Sequence, residues 1–215
     1  MIVVGLGKAG CNIAKVFSKF PQYQTYGIDT NKEADITIRE RKTHEEYDAH
    51  FPNLKRKLKF KNEEVLVITA GSGKISGGIL RLLGQLQDNR IRVLYIQSDL
   101  SLISEIQKKR DKIVKNVLQE YARSGALDMI YLVDEVSIQR SIGEMSILGY
   151  RDTINQALVN TIHMINVFRH TEPIIGNFIT PSEICRIATL GAVELNEEKS
   201  SEHWFYPLTN VRDMV

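Results

Sequence analysis

The chain has 215 residues, 43% of them hydrophobic and 25% charged, with a formal net charge of +2. That is apolar material for one domain with a real core, or one domain with a small appendage, and no charge imbalance directs it to nucleic acid or a membrane surface. Two cysteines, Cys11 and Cys185, give neither a disulfide framework nor a paired CxxC zinc site, so a reducing cytoplasm is expected.

Met1-Ile2-Val3-Val4 lacks the pattern of a secretory leader, and no apolar run approaches the roughly 20 residues of a bilayer span. Ile2 to Val4 reads as a buried strand ending in glycines, and Asn12 to Phe20 as the helix that follows them. Gln24 to Ile28 is a second strand, closed by Asp29-Thr30-Asn31. Residues 35–63 carry charge runs without clear period and read as solvated surface. Glu64 to Thr69 is a strong strand signal, followed by a second glycine-rich turn over Ala70–Gly78 and a helix over Ile79–Leu86.

Ile91 to Ile96 and Met129 to Val133 are further strands, with a long amphipathic helix over Leu100–Arg123 between them. Ile147 to Phe168 is a second long helix, and Pro181 to Leu190 a short one. Alternation of this kind predicts an α/β fold: a mostly parallel sheet with helices on both faces.

Gly5-x-Gly7-x-x-Gly10 lies between a strand and a helix, where a phosphate loop belongs. Asp29 stands about 20 residues further on, where a dinucleotide-binding unit puts the acid that holds a ribose. Residues 1–31 therefore fit an NAD site as well as a nucleoside triphosphate site. Gly71, Gly73, Gly77 and Gly78 form the second cluster, which suits a ligand with a phosphate chain gripped from two sides. The spacing is not that of a Walker loop, because Gly73-Lys74 is followed by Ile75. A glycine turn without a ligand is the plain alternative for each cluster. The histidines show no metal-ligand spacing, and Cys11 reads as a small packing residue in the first loop.

From residue 1 to about 191 the chain resembles the tubulin/FtsZ family. Gly5-Leu6-Gly7-Lys8-Ala9-Gly10-Cys11-Asn12 is similar to the first loop, and Gly27-Ile28-Asp29-Thr30-Asn31 to the second. Thr69 to Gly78, with Gly71, Ser72, Gly73, Lys74, Ile75 and Ser76, stands in place of the glycine signature, and Val133-Asp134-Glu135 in place of the ribose loop. Tyr150-Arg151-Asp152-Thr153-Ile154-Asn155 resembles the start of the central helix, whose aromatic and asparagine handle guanine.

The resemblance implies a nucleotide-binding domain over 1–170, an acidic loop and helix over 171–191, and a tail over 192–215. It implies GTP or GDP as ligand, with Mg²⁺ accompanying a triphosphate. It also implies head-to-tail self-association in the cytoplasm, with hydrolysis coupled to filament assembly. By position Glu183 is the acid that would polarise the attacking water. Small, divergent members of the family occur on phage and plasmid genomes, so a phage origin is expected by analogy.

Several positions depart from the family pattern. The glycine signature is short and carries Lys74 and Ile75. Tyr150 and Asn155 are five apart where the family has four, and Arg151 holds the four-apart position. Asn177 is followed by Phe178-Ile179-Thr180, so the family's first acid is missing, and Thr180-Pro181-Ser182-Glu183 also reads as a helix capping box. Only 24 residues, 192–215, follow Gly191, too few for the family's second domain. These departures leave a binding protein without hydrolysis as the alternative to a GTPase.

Overall fold

In a computed structural model the described residues are 1–142, 149–172, 174, 185–192 and 206–207. Seven strands form one sheet: β1 (Ile2–Leu6), β2 (Gln24–Asp29), β3 (Ile36–Thr37), β4 (Glu64–Ala70), β5 (Arg90–Gln97), β6 (Met129–Asp134) and β7 (Ile187–Thr189). Their order is β3-β2-β1-β4-β5-β6-β7, and every neighbouring pair is parallel. A small antiparallel pair, β8 (Gly191–Ala192) with β9 (Tyr206–Pro207), stands apart from it.

The strands are near-continuous runs of Val, Ile and Leu because both faces of the sheet are covered. On one face Val65, Val67, Val93 and Tyr95 pack with Tyr47 of α2 (His44–Ala49), Leu82 of α3 (Ile79–Gln85), and Val114 and Leu118 of α4 (Glu105–Arg123). On the other, Val3, Leu66, Ile68 and Leu94 meet Ile13 and Phe17 of α1 (Gly7–Phe17), Ile138 of α5 (Glu135–Ile142), and Leu158 and Ile162 of α6 (Tyr150–His170). The molecule is thus the three-layer α/β sheet that the alternation predicts.

Several elements differ from expectation. Helix α1 starts at Gly7, five residues before Asn12, so most of the first glycine loop is its first turn. No side chain caps it; the chain passes from β1 into the helix through a positive φ of 74° at Gly7. Helix α4 starts at Glu105 rather than Leu100, behind a reciprocal capping box between Ser104 and Gln107.

Residues 35–63 hold more structure than their charge runs suggest. β3 pairs with β2, and Thr43 caps α2 by accepting the Glu46 amide at 3.1 Å. Tyr47, Leu54 and Leu58 are buried, while Lys55, Arg56 and Lys57 are exposed as expected. The helix expected over Pro181–Leu190 is not formed at Ile187–Thr189, which is β7. There Ile187 packs on one face and Ala188 on the other, and Arg186 supplies the carbonyl that the Ile130 amide needs at 2.8 Å. Pro181–Ile184 lie outside the described residues. No helix among the described residues is long and apolar enough to cross a membrane.

Candidate functional site

Strands β1 and β4 are neighbours, with Leu6 paired to Thr69. From β1 the chain proceeds outward to β2 and β3; from β4 it proceeds the other way. The two glycine-bearing turns therefore abut at the reversal of strand order, where open α/β sheets bind ligands beyond the strand C-termini.

The glycines of the first turn divide into two kinds. A methyl on Gly5 would overlap the Gly10 carbonyl and lie 2.7 Å from the Cys11 amide nitrogen. A methyl on Gly10 would overlap the Ile68 carbonyl and lie 3.1 Å from the Gly5 carbonyl carbon. These two let α1 lie directly on β1 and β4. Gly7 instead supplies the left-handed conformation that opens α1, and a Cβ there would sit 2.7 Å from Ile75 Cγ2 in the second turn.

The second turn is held from beneath and from the side. Gly71 has no room for a side chain because the Tyr95 hydroxyl and Asp111 of α4 fill the space. Tyr95 donates to the Asp111 carboxylate at 2.7 Å, and burial pushes the pKa of both groups up. Ser76 is fully buried and its hydroxyl serves the Gly71 and Gly73 carbonyls at 2.8 and 2.6 Å. Gly77 packs under the His44 carbonyl and Gly78 under the Phe51 ring. Gly73 and Lys74 are exposed, and Ser72 shares a hydrogen bond with Ser98 at 2.9 Å.

A cleft opens between α1, α5 and α6. Its floor is apolar, from Ile13, Ile96, Ile154 and Leu158. Around the floor stand Ala9 and Asn12 of α1, and Tyr150, Arg151 and Asn155 of α6. Asn155 is half-buried, Arg151 and Asn12 are exposed, and none of the three makes a side-chain hydrogen bond to another described residue. Tyr150 is fixed by its hydroxyl, which donates to Gln139 at 3.0 Å. An apolar floor rimmed by a few uncommitted polar groups is the composition of a small-molecule site.

So the structure brings Ala9 and Asn12 together with Tyr150, Arg151 and Asn155. It does not bring Asp29, Thr30 or Asn31 into the cleft lining; the Asp29 carboxylate accepts the Thr30 amide at 2.7 Å. Cys11 lies between them, its thiol pushed up to about 12 by burial and by the charges of Asp29 and Asp35. Asp134 caps α5 through the Ser137 amide at 2.7 Å and lines an adjoining cavity with Ser98, Asp99 and Arg140. Lys8 is exposed on the first turn of α1. Gly71–Ser76 touch the first turn through Ile75 but do not line the cleft. Glu183 and Asn177 lie outside the described residues.

Sequence reasoning did not single out Asp99, Leu102 or Gln139, which also line the cleft together with Glu135 of the expected ribose loop. Asp99 and Leu102 come from the stretch after β5; Leu102 falls inside the helix expected over Leu100–Arg123, and the Ser104–Gln107 capping signal separates it from that helix.

No protein-family model and no curated protein matches the sequence. Solved structures do match. CetZ from Methanosaeta thermophila strain DSM 6194 aligns with a TM-score of 0.58 at 15% identity, covering 81% of this chain and 56% of that one. The empty FtsZ dimer of M. jannaschii aligns at 0.60 and 11% identity, covering 81% and 56%. TubZ of Bacillus thuringiensis serovar israelensis, in its GTPγS-form protofilament, aligns at 0.60 and 17% identity, covering 76% and 55%. The chain thus spans a little over half the length of each. With its seven-stranded parallel sheet and helices on both faces, this chain has the tubulin/FtsZ GTPase-domain fold.

Proposed function

We propose that this chain binds a guanine nucleotide, GTP or GDP, in the cleft between α1, α5 and α6. The observation that carries the reading is the convergence of Ala9 and Asn12 with Tyr150, Arg151 and Asn155 over one apolar floor. Guanine offers an acceptor at O6 and donors on the adjacent edge, and an asparagine amide matches both. The Tyr150 ring and the Arg151 guanidinium plane supply cover for the base. The first turn of α1, with its free N–H groups, positive dipole end and Lys8, serves the phosphates. A Mg²⁺ ion accompanying a triphosphate would be held by phosphate oxygens and water.

The fuller reading adds hydrolysis on head-to-tail self-association in the cytoplasm, with Glu183 of one copy orienting water at the site of the next. The protofilament state of TubZ and the dimeric state of FtsZ support it by analogy. The second reading is a nucleotide-binding assembly protein that does not hydrolyse. One observation favours it: Ile75, an apolar side chain, lies against Gly7 where the two glycine turns meet.

The test is to denature purified protein, identify the released nucleotide, and follow phosphate release against protein concentration. Released GTP or GDP supports the binding reading, and released NAD ends it. Turnover rising more than linearly with concentration, and lost in Glu183→Ala, supports hydrolysis on assembly. Bound guanine nucleotide without turnover supports the second reading.

A further inference from the structure

The inference rests on the guanine-nucleotide reading of the cleft and concerns the length of the phosphate chain that it takes. Where the two glycine turns come together, Ile75 Cγ2 lies against Gly7, close enough that a Cβ on Gly7 would be only 2.7 Å away. Anions at this junction would use the N–H groups of the α1 first turn. A methyl group lying there offers no hydrogen bond and displaces the water that would otherwise solvate a phosphate oxygen.

Ile75 is not free to swing aside. Its β-branched side chain has few rotamers. Its neighbour Ser76 is buried and bonds the Gly71 and Gly73 carbonyls. Gly71 is wedged against the Tyr95 hydroxyl, and Gly77 and Gly78 are packed under His44 and Phe51. The backbone after Ile75 is thus fixed by buried contacts, and the Gly71 and Gly73 carbonyls before it are tied to the Ser76 hydroxyl. Ile75 is not part of the cleft lining, where Asn12, Arg151 and Asn155 stand, so the residues that would read the base and the residue at the junction of the turns are separate.

We propose that Ile75 is a specificity-determining residue for phosphate-chain length. Held against Gly7, it admits guanosine mono- and diphosphate and excludes the terminal phosphate of a triphosphate from the junction of the two turns. Which γ-methyl matters is defined by the contact: valine keeps the Cγ2 methyl, whereas alanine and serine remove it.

The test is calorimetric titration of the full chain with GMP, GDP and GTP in excess magnesium, for the wild type and for Ile75→Ala, Ile75→Ser and Ile75→Val. The wild type is expected to bind GDP about tenfold or more tighter than GTP. Ile75→Ala and Ile75→Ser should close that gap by about tenfold through tighter GTP binding, with GDP affinity changed by less than about threefold. Ile75→Val should keep the wild-type ratio. Ile75→Ser also lacks the Cγ2 methyl, so it carries the test if the alanine variant does not fold. A wild type that binds GTP as tightly as GDP, or a ratio unmoved by both substitutions, overturns the role of Ile75 and leaves the guanine-nucleotide reading standing. Absence of any guanine-nucleotide binding in all four proteins overturns both.

Discussion

The Tyr95 hydroxyl donates to the Asp111 carboxylate at 2.7 Å, and through this buried pair α4 is pinned beneath the second glycine turn. Tyr95 is fully buried and Asp111 is 2% exposed, so neither group can turn to water instead. Tyr95→Phe removes the donor, keeps the ring, and leaves a buried acceptor without its partner. The expected cost is about 1–3 kcal/mol of folding stability, read as a lowered urea midpoint with an unchanged denaturant slope. A midpoint equal to wild type would show that the pair does not hold the turn.

Asp111 also gives stability a pH dependence of known sign. Burial, the largest influence, raises its pKa above the ordinary 3.8, while the Tyr95 hydrogen bond and Lys115 pull it back down. A carboxyl with a raised folded-state pKa binds its proton more tightly in the native chain than in the unfolded one. Its contribution is therefore complete below the ordinary carboxylate pKa and is lost as pH rises through the raised value. Asp111→Asn carries no such titration. Unfolding curves across the acid range should show the wild type losing stability relative to Asp111→Asn as pH rises through that window; the opposite slope would contradict the assignment.

Base selectivity is expected to reside in Asn155. Its amide is half-buried in the cleft lining and hydrogen-bonded to no other described side chain. Replacing it by alanine removes a donor and an acceptor from one base edge, a loss of about 1–3 kcal/mol in discrimination for a bidentate pair. Competition titrations with GTP, GDP and ATP should then show guanine preference reduced by about tenfold to a hundredfold. An unchanged ratio would place base recognition elsewhere in the cleft.

Cys11 and Cys185 should differ sharply toward alkylating agents. Cys185 is exposed, whereas burial together with Asp29 and Asp35 pushes the Cys11 thiol up to about 12. At pH 8 only roughly one Cys11 in ten thousand is then a thiolate, and the thiolate is the reacting form. Iodoacetamide with peptide mapping should label Cys185 fully before Cys11 is detectable. Equal labelling would mean that the first turn of α1 opens readily in solution.

The strands were legible because both faces of a parallel sheet are buried, which leaves runs such as Val65-Leu66-Val67-Ile68 with no polar interruption. The start of α1 was not, because a helix entered through a left-handed glycine needs no capping side chain to announce it. β7 was read as helix because it is three residues long and adjoins a capping-type sequence; its strand character comes from the exposed edge of β6. In the site, Ala9 and Asn12 followed from the strand–glycine–helix order, and Tyr150, Arg151 and Asn155 from resemblance. Gly10, Gly71, Gly77 and Gly78 look alike in sequence, yet only contacts from distant residues, Ile68, Tyr95, His44 and Phe51, explain why each has no side chain.

The segment around α2 has one further consequence. It reaches the second turn through the His44 carbonyl and the Phe51 ring, and is anchored by the Arg81–Asp48 ion pair at 2.9 Å and by Gln85 contacts to Pro52 and Leu54. The turn is therefore not a portable module. Grafted alone onto another parallel sheet, Gly71–Gly78 would lose the wedge that sets its shape, and the stance of Ile75 with it. Any transplant or redesign has to carry residues 43–54 along as a companion piece. The part of the chain with the least pattern in its sequence is thus the part that makes its most patterned turn work.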